Sequence, residues 1–380
     1  MIYFDNAATT QAYPEALKTY QEVAMKIWGN PSSLHRLGNQ ATRIMEASRQ
    51  QIASLIGKEA GEIFFTSGGT EADNWALKGI AFEKTSYGKH IIVSAIEHPA
   101  IKESAKWLSQ HGFEVSYAPV DADGFLDVAA FQGLLRPDTI LVSIMAVNNE
   151  VGAVQPIQVI SDLLADRPTI TFHVDAVQAI GKIPTESYLT DRVDLASFSG
   201  HKFHAVRGVG FLYKKSGKKI SPLLTGGGQE TDLRSTTENV AGIAAMAKAL
   251  RLVKDKESVA LTKIVKMKEI ILSELRTYDD VILFSGTDGF APNIITFGIK
   301  GVRGEVVVHA LEEHDIFIST TSACSSKAGK PAGTLIAMGV PVKAAQTAVR
   351  ISLDDDNDMG QVEQFLTILK QVYQKTQKVR

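Results

Sequence analysis

The sequence predicts an α/β protein: a large domain with a mostly parallel sheet flanked by helices, plus a smaller α/β domain. Three observations predict it. Short apolar runs rich in β-branched residues alternate with amphipathic stretches, as in a sheet buried on both faces. The 380 residues exceed what one small core fills, so two domains are expected. From Ala241 to about Arg276 the alternation gives way to one long helical stretch, after which shorter elements resume.

Strands are expected at Ile63–Thr66, Ile91–Ala95, Phe113–Tyr117, Ile140–Val147, Thr169–Val174, Leu195–Ser199 and Val209–Tyr213. Helical spacing fills Ala41–Ile56, stopped by Gly57, and Glu71–Phe82, while Pro99 and Pro156 sit where helices begin. The long stretch carries a charged break near Lys254–Ser258. Beyond it come strands at Val281–Phe284, Ile294–Phe297 and Ile316–Ser319, and helices at Glu305–Glu313 and Gln361–Gln374. Residues 14–250 then form the large domain, and residues 1–13 with 251–380 the small one. Ser319–Gly333, rich in Ser, Thr, Gly and Lys without periodicity, reads as a mobile loop.

Composition narrows the function. Hydrophobic residues make up 44% and charged residues 22%, an ordinary globular balance. A net charge of -2 predicts neither direct nucleic-acid binding nor attraction to an acidic membrane. The basic tail Lys370–Arg380 and the acidic run Asp354, Asp355, Asp356 and Asp358 read as solvated helix ends. The N-terminus lacks a basic region followed by an apolar stretch, and no run approaches the ~20 apolar residues of a membrane span. A cytoplasmic location is expected. The single cysteine, Cys324, forms no intramolecular disulfide, and no His/Cys cluster predicts a metal site. It is either a small buried hydrophobe or a reactive thiol.

Chemically capable residues fall repeatedly at strand ends, where open parallel sheets bind ligands. Ser67-Gly68-Gly69-Thr70-Glu71 follows a strand and opens a helix, which suits a phosphate cradle as well as a plain turn. His98 follows the next strand and could stack on a flat ring, shuttle protons, or simply bond the backbone. Asp175 ends another strand, with Gln178 three residues on. Its buried carboxylate needs a cation, such as a protonated pyridine nitrogen, or caps a helix. Ser199-Gly200-His201-Lys202 ends a further strand. A desolvated Lys202 amine would be nucleophilic enough to form an imine, whereas most loop lysines are merely solvated. The coincidence of cradle, histidine, carboxylate and lysine, in order, favours pyridoxal phosphate (PLP).

These residues resemble the class V aminotransferase branch of the fold-type I PLP-dependent transferases, and within it the cysteine desulfurases of the NifS/IscS type. The likeness spans nearly the whole chain. It runs through Tyr3–Thr10, Gly29-Asn30-Pro31-Ser32-Ser33 with His35, Phe65–Glu71, Asn148-Asn149-Glu150, Val174-Asp175-Ala176, Ser199–Lys202, Gly226–Glu230 and Ser322-Ala323-Cys324.

The resemblance implies that Lys202 holds PLP as an imine and that Gly69, Thr70, Ser199 and His201 hold its phosphate. Thr237 reaches the phosphate of the neighbouring subunit of a homodimer. Asp175 pairs with the pyridinium nitrogen, Gln178 bonds the ring oxygen and His98 stacks on the ring while assisting proton transfer. Asn149 and Arg350 bind the carboxylate of L-cysteine, a group that a guanidinium matches with two prongs. Cys324 accepts sulfur as a persulfide for delivery to a sulfur-acceptor protein, an Fe–S scaffold or a tRNA-thiolation enzyme. An aminotransferase or selenocysteine lyase on the same scaffold is the enzymatic rival, and a PLP-binding scaffold protein the non-enzymatic one. Two positions depart from the family pattern. Arg234-Ser235-Thr236-Thr237 stands where Arg-Ser-Gly-Thr is common. Asp354-Asp355 stands where Gly-Arg often follows, placing negative charge near the carboxylate site or on the nearby surface.

Overall fold

The computed structural model describes residues 1–321 and 333–379. The chain opens with a short strand, Ile2–Tyr3 (β1), and enters the main sheet at Ile63–Thr66 (β2). The next strands are His90–Ser94 (β3), Glu114–Ala118 (β4), Thr139–Met145 (β5), Thr171–Asp175 (β6), Leu195–Ser199 (β7) and Gly210–Lys214 (β8). They form a seven-stranded sheet in the order β2-β8-β7-β6-β5-β3-β4. All neighbours from β7 to β4 pair in parallel, and β8 runs antiparallel to both β2 and β7. Thr66, Ser94, Met145, Asp175 and Ser199 therefore end at one edge of the sheet.

Successive strand residues face opposite sides, and both sides are apolar. Ile92, Val142, Phe172 and Phe198 join one core cluster with Ile52, Ile243 and Leu250. Ile91, Val93, Leu141 and Leu195 join another with Trp75, Ile80 and Ile101. The expected strands are present with ends shifted by one or two residues, and the helices Arg36–Leu55 and Gly69–Glu83 lie where spacing placed them.

After the main sheet the helix Val240–Leu275 runs without interruption. The expected break near Lys254–Ser258 is not there. Lys254 pairs with Glu257 at 2.8 Å and reaches Thr185 Oγ1 at 3.0 Å, so these charges line one helix face, as residues three apart do. The remaining strands are Val281–Leu283 (β9), Ile294–Ile299 (β10), Ile316–Phe317 (β11), Ser319–Thr320 (β12) and Ala348–Ser352 (β13). The sheet β12-β13-β10-β9 is antiparallel, and β1 pairs in parallel with β11. A separate apolar cluster joins Ile2 and Phe4 to Ile264, Ile271, Phe297, Ile351 and Phe365. Position 250/251 falls inside the long helix, whose first half packs in the first cluster and whose second half packs in this one.

The stretch read as one loop, Ser319–Gly333, begins in β12 and ends where the helix Gly333–Ala337 starts. Cys324 lies outside the described residues. Among those described, no helix is long and apolar enough to cross a membrane.

Candidate active site

A cavity of about 620 Å³ opens where the parallel strands end. It is lined by Gly69, Thr70, His98, Asn149, Asp175, Gln178, Ser199, His201, Lys202 and Arg350, residues from the whole length of the sequence.

Its first wall is the turn from β2 into the helix Gly69–Glu83. The leading N–H groups of a helix have no intrahelical acceptor, which makes this end receptive to anions. The approach is open only because side chains are missing. A Cβ on Gly69 would lie 2.7 Å from Val177 Cγ2, and Gly68 has φ 152°. Ser67 N–H and the Arg234 guanidinium both donate to Glu71, at 2.7 Å and at 2.6 and 2.8 Å. The departure Arg234-Ser235-Thr236-Thr237 thus keeps Arg234 tied to this turn.

Lys202 Nζ donates to the carbonyls of Ala7 and Ala8 at 2.6 and 2.8 Å. Gln178 Nε2 donates to the same Ala7 carbonyl at 2.9 Å. His201 Nδ1 lies 3.1 Å from Thr9 Oγ1, and burial beside Lys202 and Arg207 lowers its pKa to about 4. The N-terminal Asp5–Thr10 segment is therefore part of the site.

The floor carries two buried carboxyls, Asp175 and Asp73, with Glu97 buried near them. Asp175 accepts Val177 N–H at 3.0 Å, and burial raises its pKa to about 6. Asp73 is pushed well up by burial and by Asp175 beside it. Glu97 accepts from Ser94 Oγ at 2.5 Å and Met145 N–H at 2.8 Å, yet burial still raises it to about 8. Below them His173, held neutral by burial, bridges Ser143 and Ser197 at 2.8 and 2.9 Å. Such a floor accepts a cation readily.

His98 both lines the cavity and starts the helix Pro99–Gln110, where Nδ1 accepts Ala100 N–H at 3.1 Å. Burial, with Lys202 and Lys102 nearby, lowers its pKa to about 4. Arg350 donates to Asn149 O at 2.6 Å, Asp5 Oδ1 at 2.9 Å and Ser319 Oγ at 3.0 Å. Its buried Nε has no partner among the described residues.

Residues 2–365 match the aminotransferase class-V family. The chain belongs to that family. Among its relatives in the family is a "NifS/IcsS protein homolog" of Lactobacillus delbrueckii subsp. bulgaricus, 50% identical over all of this chain and 99% of that one. The "Cysteine desulfurase IscS" of Dictyoglomus turgidum is 40% identical over 98% of this chain and 95% of its own. A solved class-V structure, a "NifS-like protein", superposes with a TM-score of 0.92 at 38% identity, covering 98% of both chains.

One of the named residues stands apart from the cavity, and one lies outside the described residues. Thr237 is exposed and does not line it, and Cys324 is not described. Thr321, the last described residue before position 322, lines the cavity, and Thr334 Oγ1 accepts from Asn148 at 3.3 Å. The expectation for Asp354-Asp355 needs correcting. Asp354 is buried, 2.5 Å from Lys182 Nζ and 3.3 Å from His204 Nε2, neither at the carboxylate site nor solvated. Sequence reasoning assigned no role to Asp73, Glu97, Glu150, Arg207 or the carbonyls of Ala7 and Ala8. Glu150 had a signal, since it adjoins Asn149, but backbone carbonyls carry none.

Proposed function

We propose that this chain is a PLP-dependent cysteine desulfurase that converts L-cysteine to L-alanine and transfers the sulfur to Cys324 as a persulfide. The observation that carries the reading is the convergence of Lys202, Asp175, His98 and Arg350 on one cavity beside a glycine-walled helix end. The residues fit PLP on three counts. The cradle at Gly68 and Gly69 is kept free of side chains, the buried Asp175 carboxyl has one N–H donor and room for a cation, and Arg350 Nε is unpartnered among the described residues.

Lys202 would hold the cofactor, with Gly69, Thr70, Ser199 and His201 at its phosphate, Asp175 at its ring nitrogen, Gln178 at its ring oxygen and His98 on its face. Bound there, PLP supplies an electron sink for the Cα of an amino acid. Arg350 and Asn149 take the substrate carboxylate, which orients Cα toward Lys202. The Lys202 amine then removes the Cα proton. His98 is neutral near pH 7, and because Nδ1 accepts from Ala100 its proton sits on Nε2, where it can donate a hydrogen bond to a group bound in the cavity. Cys324, as thiolate, bonds to the substrate sulfur while the Cβ–S bond breaks. The electron pair stays on Cβ, which takes up a proton, Lys202 returns a proton to Cα, and L-alanine leaves.

The same reading makes the enzyme a cytoplasmic homodimer in which the exposed Thr237 serves the phosphate of a second copy. Two domains, 14–250 and 1–13 with 251–380, accord with the two apolar clusters that share the long helix. The persulfide would pass to an Fe–S scaffold or a tRNA-thiolation enzyme. Incubating the holoenzyme with L-cysteine should yield alanine in solution and one added sulfur on the Cys324 peptide by mass spectrometry. Undiminished alanine formation by Cys324→Ala would overturn the assignment.

A further inference from the structure

We infer that His204 is a positioning residue of this active site, clamping the Lys202 turn to the strand that carries Arg350 through Asp354 and Asp355. The inference rests on the desulfurase reading, which gives both ends of the clamp a substrate role.

His204 lies two residues beyond Lys202 and has φ 64°, a left-handed conformation uncommon among residues other than glycine. Its surroundings are specific. Its ring stacks on Tyr13, with centroids 4.1 Å apart and planes at 8°. Nδ1 lies 2.8 Å from the Gln11 carbonyl. Nε2 lies 3.3 Å from Asp354 Oδ2 and 3.3 Å from Asp355 Oδ1. The Gln11 carbonyl only accepts, so Nδ1 carries a proton, while Nε2 is aligned in a hydrogen bond to neither carboxylate and meets both as a charge, which favours the doubly protonated ring. His204 is an imidazolium, with no lone pair left for a metal ion.

The charges around it balance. Asp354 also takes Lys182 Nζ at 2.5 Å. Asp355 takes the Tyr13 hydroxyl at 2.7 Å and Lys256 at 3.5 Å, and its carbonyl accepts from Lys263. Asp356 adds a third carboxylate 3.9 Å from Nδ1. The carboxylates raise the His204 pKa to about 9 against the opposing effect of burial, while Asp355 is lowered to about 2.

The clamp connects directly to the substrate groups. Thr10 Oγ1 accepts His204 N–H at 2.8 Å and donates to the His201 carbonyl at 3.0 Å, bracketing Lys202. Ala7, whose carbonyl accepts from Lys202, donates its N–H to Ser352 Oγ at 2.8 Å on the strand of Arg350. The segment from Ala7 to Tyr13 is thus held between the two, and Asp354 closes the arrangement four residues beyond Arg350. Arg350 keeps its own partners, Asp5, Ser319 and Asn149, independently of the clamp.

The test compares wild type with His204→Asn, which tolerates the left-handed backbone but supplies no cation. Misplacing Lys202 relative to a normally bound carboxylate should lower kcat for L-cysteine by about tenfold or more while KM stays within about threefold. A raised histidine pKa stabilises the fold below its ordinary value of about 6.5 and loses that effect as pH rises through about 9. Apo wild type should therefore melt above apo His204→Asn near pH 6, with the gap closing between about pH 6.5 and 9. An unchanged kcat per PLP-loaded subunit, whatever the melting temperature, would overturn the positioning role, and a gap that persists at high pH would overturn the imidazolium. Should His204→Asn not fold, Asp355→Asn at the half-buried rim reads the same way: lower kcat supports the clamp and unchanged kcat overturns it. If wild type itself releases no alanine, the desulfurase reading fails, while the melting gap still decides whether the charged clamp exists.

Discussion

Arg350 donates from Nη2 to Asp5 Oδ1 at 2.9 Å, so the first motif of the chain braces a guanidinium near its far end. The brace, with Ser319 and the Asn149 carbonyl, fixes the guanidinium while leaving Nε unpartnered among the described residues. Arg350→Lys keeps the charge but loses the planar fork. One charge-assisted hydrogen bond is worth about 1.5–3 kcal/mol, so KM for L-cysteine should rise roughly 10- to 100-fold. Steady-state kinetics check this, and an unchanged KM would remove Arg350 from the carboxylate site.

Legibility in the sequence followed locality. Lys202, Asp175 and the Gly68-Gly69 turn were readable because each couples a strand end to a chemically suitable residue within a few positions. Asp354 was not. An aspartate run is normally solvated, and only folding brings it to Lys182 and His204, both distant in sequence. The Ala7 and Ala8 carbonyls escaped for another reason: a backbone acceptor looks the same in every residue. The long helix runs through Lys254–Ser258, where a charged stretch suggests a break, because Lys and Glu are good helix formers.

Asp175 gives a pH prediction. Burial raises its carboxyl to about 6 against the opposing effects of the Val177 N–H and Lys202, so the anion that would pair with a ring nitrogen is present above that pH and lost below it. Affinity of the apo protein for PLP should therefore fall by up to about tenfold per pH unit below pH 6. Reconstitution followed by cofactor absorbance measures it, with Asp175→Asn as reference. The extra acid-side loss in wild type is the expected result, and parallel curves would remove Asp175 as the partner of the ring nitrogen.

Gly210 offers a structural probe of the phosphate cradle from outside the cavity. A Cβ there would sit 2.5 Å from the Phe198 carbonyl and 2.7 Å from Gly68 Cα. Both obstacles are backbone, so the strain reaches the cradle rather than a flexible side chain. Gly210→Ala should cost roughly 1–3 kcal/mol of stability and weaken PLP binding. Denaturant unfolding and PLP titration of the same variant check the two effects together; stability loss with unchanged PLP affinity would uncouple Gly210 from the cradle.

Glu230 makes the strongest stability prediction. Its carboxylate receives Arg49 from two nitrogens at 2.7 and 2.9 Å and the Phe65 N–H at 3.0 Å, all buried. The guanidinium also stacks 4.5 Å from the Phe65 ring and donates to the Ile63 carbonyl at 2.6 Å. Glu230 holds this position with φ 49°, which ties the end of the Gly226–Glu230 motif to β2, the strand leading into the cradle. Glu230→Ala would leave the buried guanidinium only the exposed Glu46, 3.2 Å from Nε, as a charge partner, and breaking a buried pair costs up to about 3–5 kcal/mol. The double variant Glu230→Ala with Arg49→Met removes the guanidinium and should recover a large part of the loss. A urea unfolding series on the two variants measures it. Equal stabilities would mean that the cost comes from the loop conformation rather than from the under-compensated Arg49.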